Sequence, residues 1–136
     1  MVKSNSYINV KMVIGTVLCV AIVLSLTHIP QDSLPWRANS ASVQACQHVL
    51  AYGLITFFTV VAIQRPRSLR LLALVLLILA CIGAVDELTQ SYVGRQATLV
   101  DFGSDMVGII ATLCISWVWD SNRKHRILGI QTPGPQ

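Results

Sequence analysis

Four carboxyl side chains (Asp86, Glu87, Asp101 and Asp105), the guanidinium of Arg95 and the amide of Gln90 lie within a single stretch, GAVDELTQSYVGRQATLVDFGSDMVG, from Gly83 to Gly108. They sit at the ends of two apolar runs, where ionisable groups are expensive to place and by default mark function. His48 and Tyr52, four residues apart in an earlier run, share one helical face. Carboxyls, a histidine, an amide and an arginine suit acid/base hydrolysis. Glycoside cleavage needs a carboxyl pair and no cofactor. One of the two acids must hold its proton near neutral pH, and apolar surroundings favour the neutral carboxyl in general. Gln90 would hydrogen-bond sugar hydroxyls. Phosphoester hydrolysis asks for more positive charge than His48 and Arg95 supply, unless a divalent ion is bound by Asp86, Glu87, Asp101 and Asp105.

The elements that must position these residues are membrane helices. The chain of 136 residues is 54% apolar and 12% charged, against about 25% charge in soluble proteins, and its length allows one domain. Four uncharged runs stand out, Met12 to Leu26, Val49 to Ile63, Leu71 to Val85 and Met106 to Trp119. Each falls short of the roughly 20 residues that span a ~30 Å hydrocarbon core, so each helix must extend into its polar flanks. The expected fold is all-α, a four-helix transmembrane bundle with helices at about 11–28, 43–63, 69–91 and 101–120. The first could also be read as a cleaved secretory leader, but the apolar core is long for one and no compact small-residue site follows Leu26, so a retained helix is expected. Pro30 should end it and Gly94 should end helix three. The short loop QRPRSLR makes helices two and three antiparallel neighbours. The tail from Ser121 reads as solvated and disordered.

The net charge of +4 marks topology rather than a nucleic-acid surface. Lys3, Lys11, Arg65, Arg67, Arg70, Arg123, Lys124 and Arg126 fall on one side of a four-span arrangement, and Arg37 and Arg95 on the other. The positive-inside rule then puts both termini in the cytoplasm. Trp36 suits the headgroup level on the opposite side. The cysteines, Cys19, Cys46, Cys81 and Cys114, have no ligand spacing and read as small packing residues, with Cys46 near the outer face the one exception.

Counting from the cytoplasmic charges gives depth. His48 is seventeen residues from Arg65, Asp86 and Glu87 sixteen and seventeen from Arg70, and Asp105 fifteen from Asp120. At about 1.5 Å per residue this is one layer, roughly 22 to 26 Å from the inner boundary and facing the outside. His28 falls in the same layer but, just before Pro30, reads as a helix end. Asp101, Asp105, Gly108 and Thr112 form one stripe at helical spacing. Each residue alone has a plainer reading. Asp86 or Asp101 can sit in headgroup water, Asp101 can simply complement a helix dipole, Arg95 can anchor to lipid phosphate, and His48 can be an interhelical contact. Gly83, Gly103 and Gly108 are expected to let helices approach closely. It is the convergence of three helices on one layer that favours a site.

His48 with Tyr52, DELTQ at Asp86 to Gln90, then Arg95, then DFGSDMVG at Asp101 to Gly108 resemble the signature of VanZ-like membrane proteins. That pattern is approximately H-x-x-x-Y, D-E-x-x-Q, an arginine, and D-x-x-x-[N or D]-x-x-G, and it covers helices two to four. Two departures are Cys46-Gln47 where many members carry Asp-Lys, and Asp105 where many carry asparagine. The resemblance implies one integral domain over residues 1–136 in the bacterial inner membrane, with its site toward the periplasm. The family is named for a teicoplanin-resistance accessory protein, which makes a glycolipid or lipid-linked envelope saccharide the implied substrate class.

On this reading Glu87 is the proton donor, because its longer side chain reaches a leaving oxygen, and Asp101 the ionised partner at a helix start. Asp86, also a candidate catalytic carboxyl, would pair with Arg95, while His48, Tyr52, Gln90 and Asp105 position the headgroup. No cofactor is required, although a divalent metal is compatible. Two other readings stand beside it. One is a lipid-headgroup binding or proton-coupled transport module, for which so short a chain would dimerise, and the other is a structural partner whose polar residues are interhelical glue.

Overall fold

Four helices form over the apolar runs and their polar flanks, α1 Val10–Thr27, α2 Ala41–Ala62, α3 Leu69–Gln90 and α4 Leu99–Gly129, with a single 3-10 turn, Ser91–Val93, after α3. The computed structural model describes residues 8–29, 41–63, 68–93 and 98–129, with the side chains of 123–129 excepted. Pro30, Trp36, Arg37, Arg65, Arg67, Gly94 and Arg95 lie outside the described residues. Among those described there is no strand, only an isolated bridge between Ile8 and Ile63. All four helices are long and apolar enough to cross a membrane. The length comes from the polar flanks, as α2 takes in Gln44 and His48 and α3 takes in Asp86 to Gln90.

The capping chemistry is local. Asn9 accepts from the Met12 N–H at 3.4 Å to open α1, and Ser68 accepts from the Leu71 N–H at 3.2 Å to open α3. Thr98 opens α4, its hydroxyl accepting from the Asp101 N–H at 3.0 Å and donating to Asp101 Oδ2 at 2.7 Å. At the other end α4 runs to Gly129, so residues 121–129 are helical where a disordered tail was expected. Apolar periodicity stops at Trp119, but nothing between Asp120 and Leu128 breaks a helix.

The helices alternate in direction. At one end the Asn9 N–H donates to the Ala62 carbonyl at 2.9 Å, which ties the start of α1 to the end of α2. The opposite end gathers the last turns of α1 and α3 with the first turns of α2 and α4. Sequence separation alone suggested α2 and α3 as close neighbours, yet α2 packs chiefly on α4 and α1 and only lightly on α3. The α2–α4 pair is parallel and nearly in register, with Gln44 on Asp101, His48 on Asp105 and Gly53 on Thr112, offsets of 57, 57 and 59 residues. Polar partners at helical spacing, unavailable between α2 and α3, set this pairing.

Tyr52, Ile55, Val60, Leu72, Val75, Leu79, Ile109 and Leu113 form the buried apolar cluster. Leu50, Leu77, Leu88, Ile115 and Trp119 point outward and exposed, the arrangement of a bundle solvated by lipid tails. Cys46, Cys81 and Cys114 also face outward and Cys19 is half-buried, so the expected packing role does not hold for Cys81 and Cys114. A thiol is apolar enough to sit on a lipid-facing surface.

Gly108 is where α2 and α4 come closest. A Cβ there would run into the Val49 carbonyl oxygen and stand 3.0 Å from the Gly53 nitrogen, both backbone atoms that cannot swing aside. Gly103, grouped with it in the sequence reading, faces open space. Gly108→Ala should therefore lower stability by about 1–3 kcal/mol through overpacking. Gly103→Ala should lose nothing and gain up to about 1 kcal/mol from helix propensity. Thermal unfolding in detergent, followed by circular dichroism, measures both, and equal midpoints for the two variants would disprove the close approach.

Candidate functional site

Three helices bring ionisable side chains to one buried point at the gathered end of the bundle. His48, in the second turn of α2, places Nδ1 2.8 Å from Asp105 Oδ1 on α4 and 3.9 Å from Glu87 Oε1 on α3. Donor atoms of His48, Glu87 and Asp101 all lie within 4.8 Å of one another, and all three residues are buried. The near-constant α2–α4 register makes this possible, because one helical turn separates Gln44 from His48 and Asp101 from Asp105.

Each acid in this group is oriented by a donor. Glu87 Oε2 accepts from the Thr98 N–H at 3.2 Å, which fastens the end of α3 to the start of α4. Asp101 Oδ2 accepts from Gln44 Nε2 at 3.1 Å and from Thr98 Oγ1 at 2.7 Å. The site is thus preorganised on helices and not on loops.

Asp86 is one residue from Glu87 and points elsewhere. Successive residues on a helix diverge by about 100°, and Asp86 turns toward α1. Its Oδ1 accepts from Thr27 Oγ1 at 2.8 Å and its Oδ2 from Gln90 Nε2 at 3.2 Å. His28, capping α1, lies 3.6 Å from Asp86 Oδ1 and 2.9 Å from Thr89 Oγ1. The end of α1 is therefore part of the polar assembly. The expected partner of Asp86, Arg95, is outside the described residues.

Among the described residues, four buried polar atoms have no hydrogen-bond partner: Tyr52 Oη, Glu87 Oε1, Gln90 Oε1 and Asp105 Oδ2. Gly83 makes room for two of these residues, since a Cβ there would stand 3.4 Å from both Asp105 Oδ2 and the Tyr52 ring. A buried acceptor or hydroxyl left unmade costs about 1–3 kcal/mol, which sets these atoms apart from the engaged oxygens of Asp86.

Of the residues singled out from the sequence, the structure unites His48, Glu87, Asp101 and Asp105, and buries Tyr52 and Gln90. It sets Asp86 apart, with both oxygens engaged. Gln44, Thr98 and Thr27 orient the carboxyls and were not singled out as site residues. Thr98 was legible, because Thr-x-x-Asp before an apolar run is a capping signal. Gln44 carried a weaker one, standing four residues before His48, and Thr27 carried none.

The His48–Asp105 contact should behave as a coupled pair. Unfolding of His48→Ala, Asp105→Ala and the double variant should give a coupling energy of about 1.5–3 kcal/mol, as for a hydrogen bond to a charged group. A coupling near zero would mean that the two side chains do not meet.

Compared with family models, with curated proteins and with solved structures, the chain matches none.

Proposed function

We propose that this chain is a membrane-embedded hydrolase that acts on a glycolipid or lipid-linked saccharide by carboxyl acid/base chemistry. The observation that carries the reading is the pair of buried, unpartnered carboxyl oxygens, Glu87 Oε1 and Asp105 Oδ2, beside a buried imidazole. Interhelical glue pairs its polar atoms off, as Asp86 of α3 does with Thr27 of α1. Glu87 and Asp105 instead each keep one oxygen engaged and one open.

In this reading Glu87 is the proton donor. Thr98 holds Oε2 and leaves Oε1 to face the leaving oxygen. Asp101 is the ionised partner, accepting two hydrogen bonds in the first turn of α4 where the helix dipole favours negative charge. Nearest oxygens of Glu87 and Asp101 within 4.8 Å favour the retaining geometry, whose carboxyls stand about 5–5.5 Å apart, over the wider inverting one. Gln90 Oε1 and Tyr52 Oη, both open, would receive sugar hydroxyls. His48 is held by Asp105 and positions the headgroup.

The positive-inside charge count supports cytoplasmic termini, hence a site in the outer leaflet facing the periplasm of a bacterial inner membrane. The DELTQ and DFGSDMVG motifs support VanZ-like membership and an envelope substrate. Proton-coupled headgroup transport is the second reading, favoured by the full burial of the cluster.

Incubation of the purified chain with a total envelope-lipid extract, read by mass spectrometry, should show a cleaved product. Glu87→Gln and Asp101→Asn should each reduce turnover by at least about a hundredfold, the usual worth of a general acid or base, with the protein still in the membrane. Near-normal turnover in both variants excludes this assignment, and headgroup binding without any product supports transport. Reporter fusions at Gln64 and after Arg126 should both report cytoplasm, and a periplasmic signal at either reverses the sidedness.

A further inference from the structure

His48, Glu87 and Asp101 come from three different helices and present one nitrogen and two carboxyl oxygens within 4.8 Å of one another. Ligands around a tetrahedral zinc stand roughly 3.3 Å apart, given metal–ligand distances of about 2.0–2.1 Å. The closing movement needed is small, and the side chain that must make it is unhindered. Glu87 Oε1 is bonded to nothing, and Glu87 is only 6% exposed, so this oxygen has no water shell to give up.

The surroundings match the second layer of a metal centre. His48 Nδ1 lies 2.8 Å from Asp105 Oδ1; with the proton on Nδ1 the lone pair falls on Nε2, and a carboxylate behind a ligating imidazole is the recurrent device for orienting it. Thr98 and Gln44 fix one oxygen of Glu87 and one of Asp101, leaving the other of each to ligate. Charge points the same way. Glu87, Asp101 and Asp105 are buried together, and among the described residues no lysine or arginine pairs with them. A divalent cation would neutralise two carboxylates at once, where protons would have to be held singly.

We propose that His48, Glu87 and Asp101 bind one divalent transition-metal cation of the zinc or manganese kind, with Asp105 positioning the imidazole. A nitrogen donor in a set of three argues against magnesium or calcium, which take all-oxygen shells of six or more. The inference rests on reading these residues as the working centre and changes the chemistry they would do: a carboxylate bound to the cation has no proton to give, so Glu87 would be a ligand and not the proton donor, and the cation would supply the positive charge whose lack disfavoured a phosphoester substrate.

The test uses the full chain in detergent, stripped with chelator and titrated by calorimetry with Zn²⁺ alone and Mn²⁺ alone. One equivalent per chain is expected, with a raised thermal midpoint. Glu87→Gln and Asp101→Asn should each weaken binding at least about tenfold, and Asp105→Asn about 10- to 100-fold. Because free thiols also take zinc, a variant with all four cysteines replaced by serine must keep the site. The visible spectrum of Co²⁺ on the parent reads nitrogen/oxygen coordination without depending on any variant's folding. A folded parent that binds less than a fifth of an equivalent of either ion, or binding unchanged in the Glu87→Gln/Asp101→Asn double variant, overturns the proposal. Metal bound without cleavage of any envelope lipid upholds the site and removes the hydrolase reading. Cleavage that survives chelation in a metal-free chain overturns the site and leaves acid/base hydrolysis standing.

Discussion

The contact between His48 Nδ1 and Asp105 Oδ1, 2.8 Å long and shielded from solvent, constrains everything around it. An imidazole and a carboxyl inside an apolar bundle are costly unless each meets the other, and they meet only if α2 and α4 run parallel in fixed register. Gln44 on Asp101 and Gly53 on Thr112 keep that register above and below. Gly108, with no side chain, lets the two backbones come close enough for it. The apolar residues at the same seam, Tyr52, Ile55 and Ile109, are buried by the approach. Packing and polar pairing therefore depend on one geometry, and neither α1 nor α3 could substitute for α4 as the partner of α2.

Once α2 and α4 are fixed, α3 has two duties at one end. Its adjacent acids diverge, and the divergence separates structure from chemistry. Asp86 anchors α1 through Thr27 and braces Gln90, while Glu87 crosses to His48 and catches the Thr98 N–H at the start of α4. A single helical position thus divides the polar end into a half against α1, where both Asp86 oxygens are engaged, and a half between α2, α3 and α4, where Glu87 Oε1 and Asp105 Oδ2 have no partner among the described residues. The first half holds the bundle closed, and the second is free to engage something else.

Much of this was legible from composition and spacing, and the failures have physical causes. Apolar runs located four helices because each must bury its backbone within itself, and their shortness revealed that polar flanks such as Asp86 to Gln90 belong to them. Depth counting put His48, Glu87 and Asp105 at one level because helical rise is uniform. What depth cannot give is azimuth. It could not tell Asp86 from Glu87, nor α2–α4 packing from α2–α3, since loop length reports only sequential neighbours. Gly103 was grouped with Gly108 by type, although a glycine records only that no side chain is needed and not that a helix lies opposite. The cysteines failed similarly, because in a membrane the outward face is as apolar as the inward one and hydrophobicity no longer distinguishes them. The continuation of α4 through Gly129 was missed because polarity was read as disorder, whereas Ser121, Asn122 and Arg123 to Arg126 are compatible with helix.

The position of the open half narrows what it can meet. It lies at the end of the spans and not at their middle, where the last turns of α1 and α3 gather with the first turns of α2 and α4. The outward faces beside it, among them Leu50 and Leu88, are apolar and exposed. A water-soluble substrate would find no apolar wall useful, and a wholly apolar one would have no use for the imidazole and the open carboxyl oxygens. On the proposed reading an amphiphile would use both, with its chains along the apolar faces and its headgroup at the depth of His48 and Glu87. Attachment to a membrane also confines such a molecule to the layer where these side chains stand, so positioning is shared between bilayer and protein. That sharing reduces the binding surface that the helices themselves must supply.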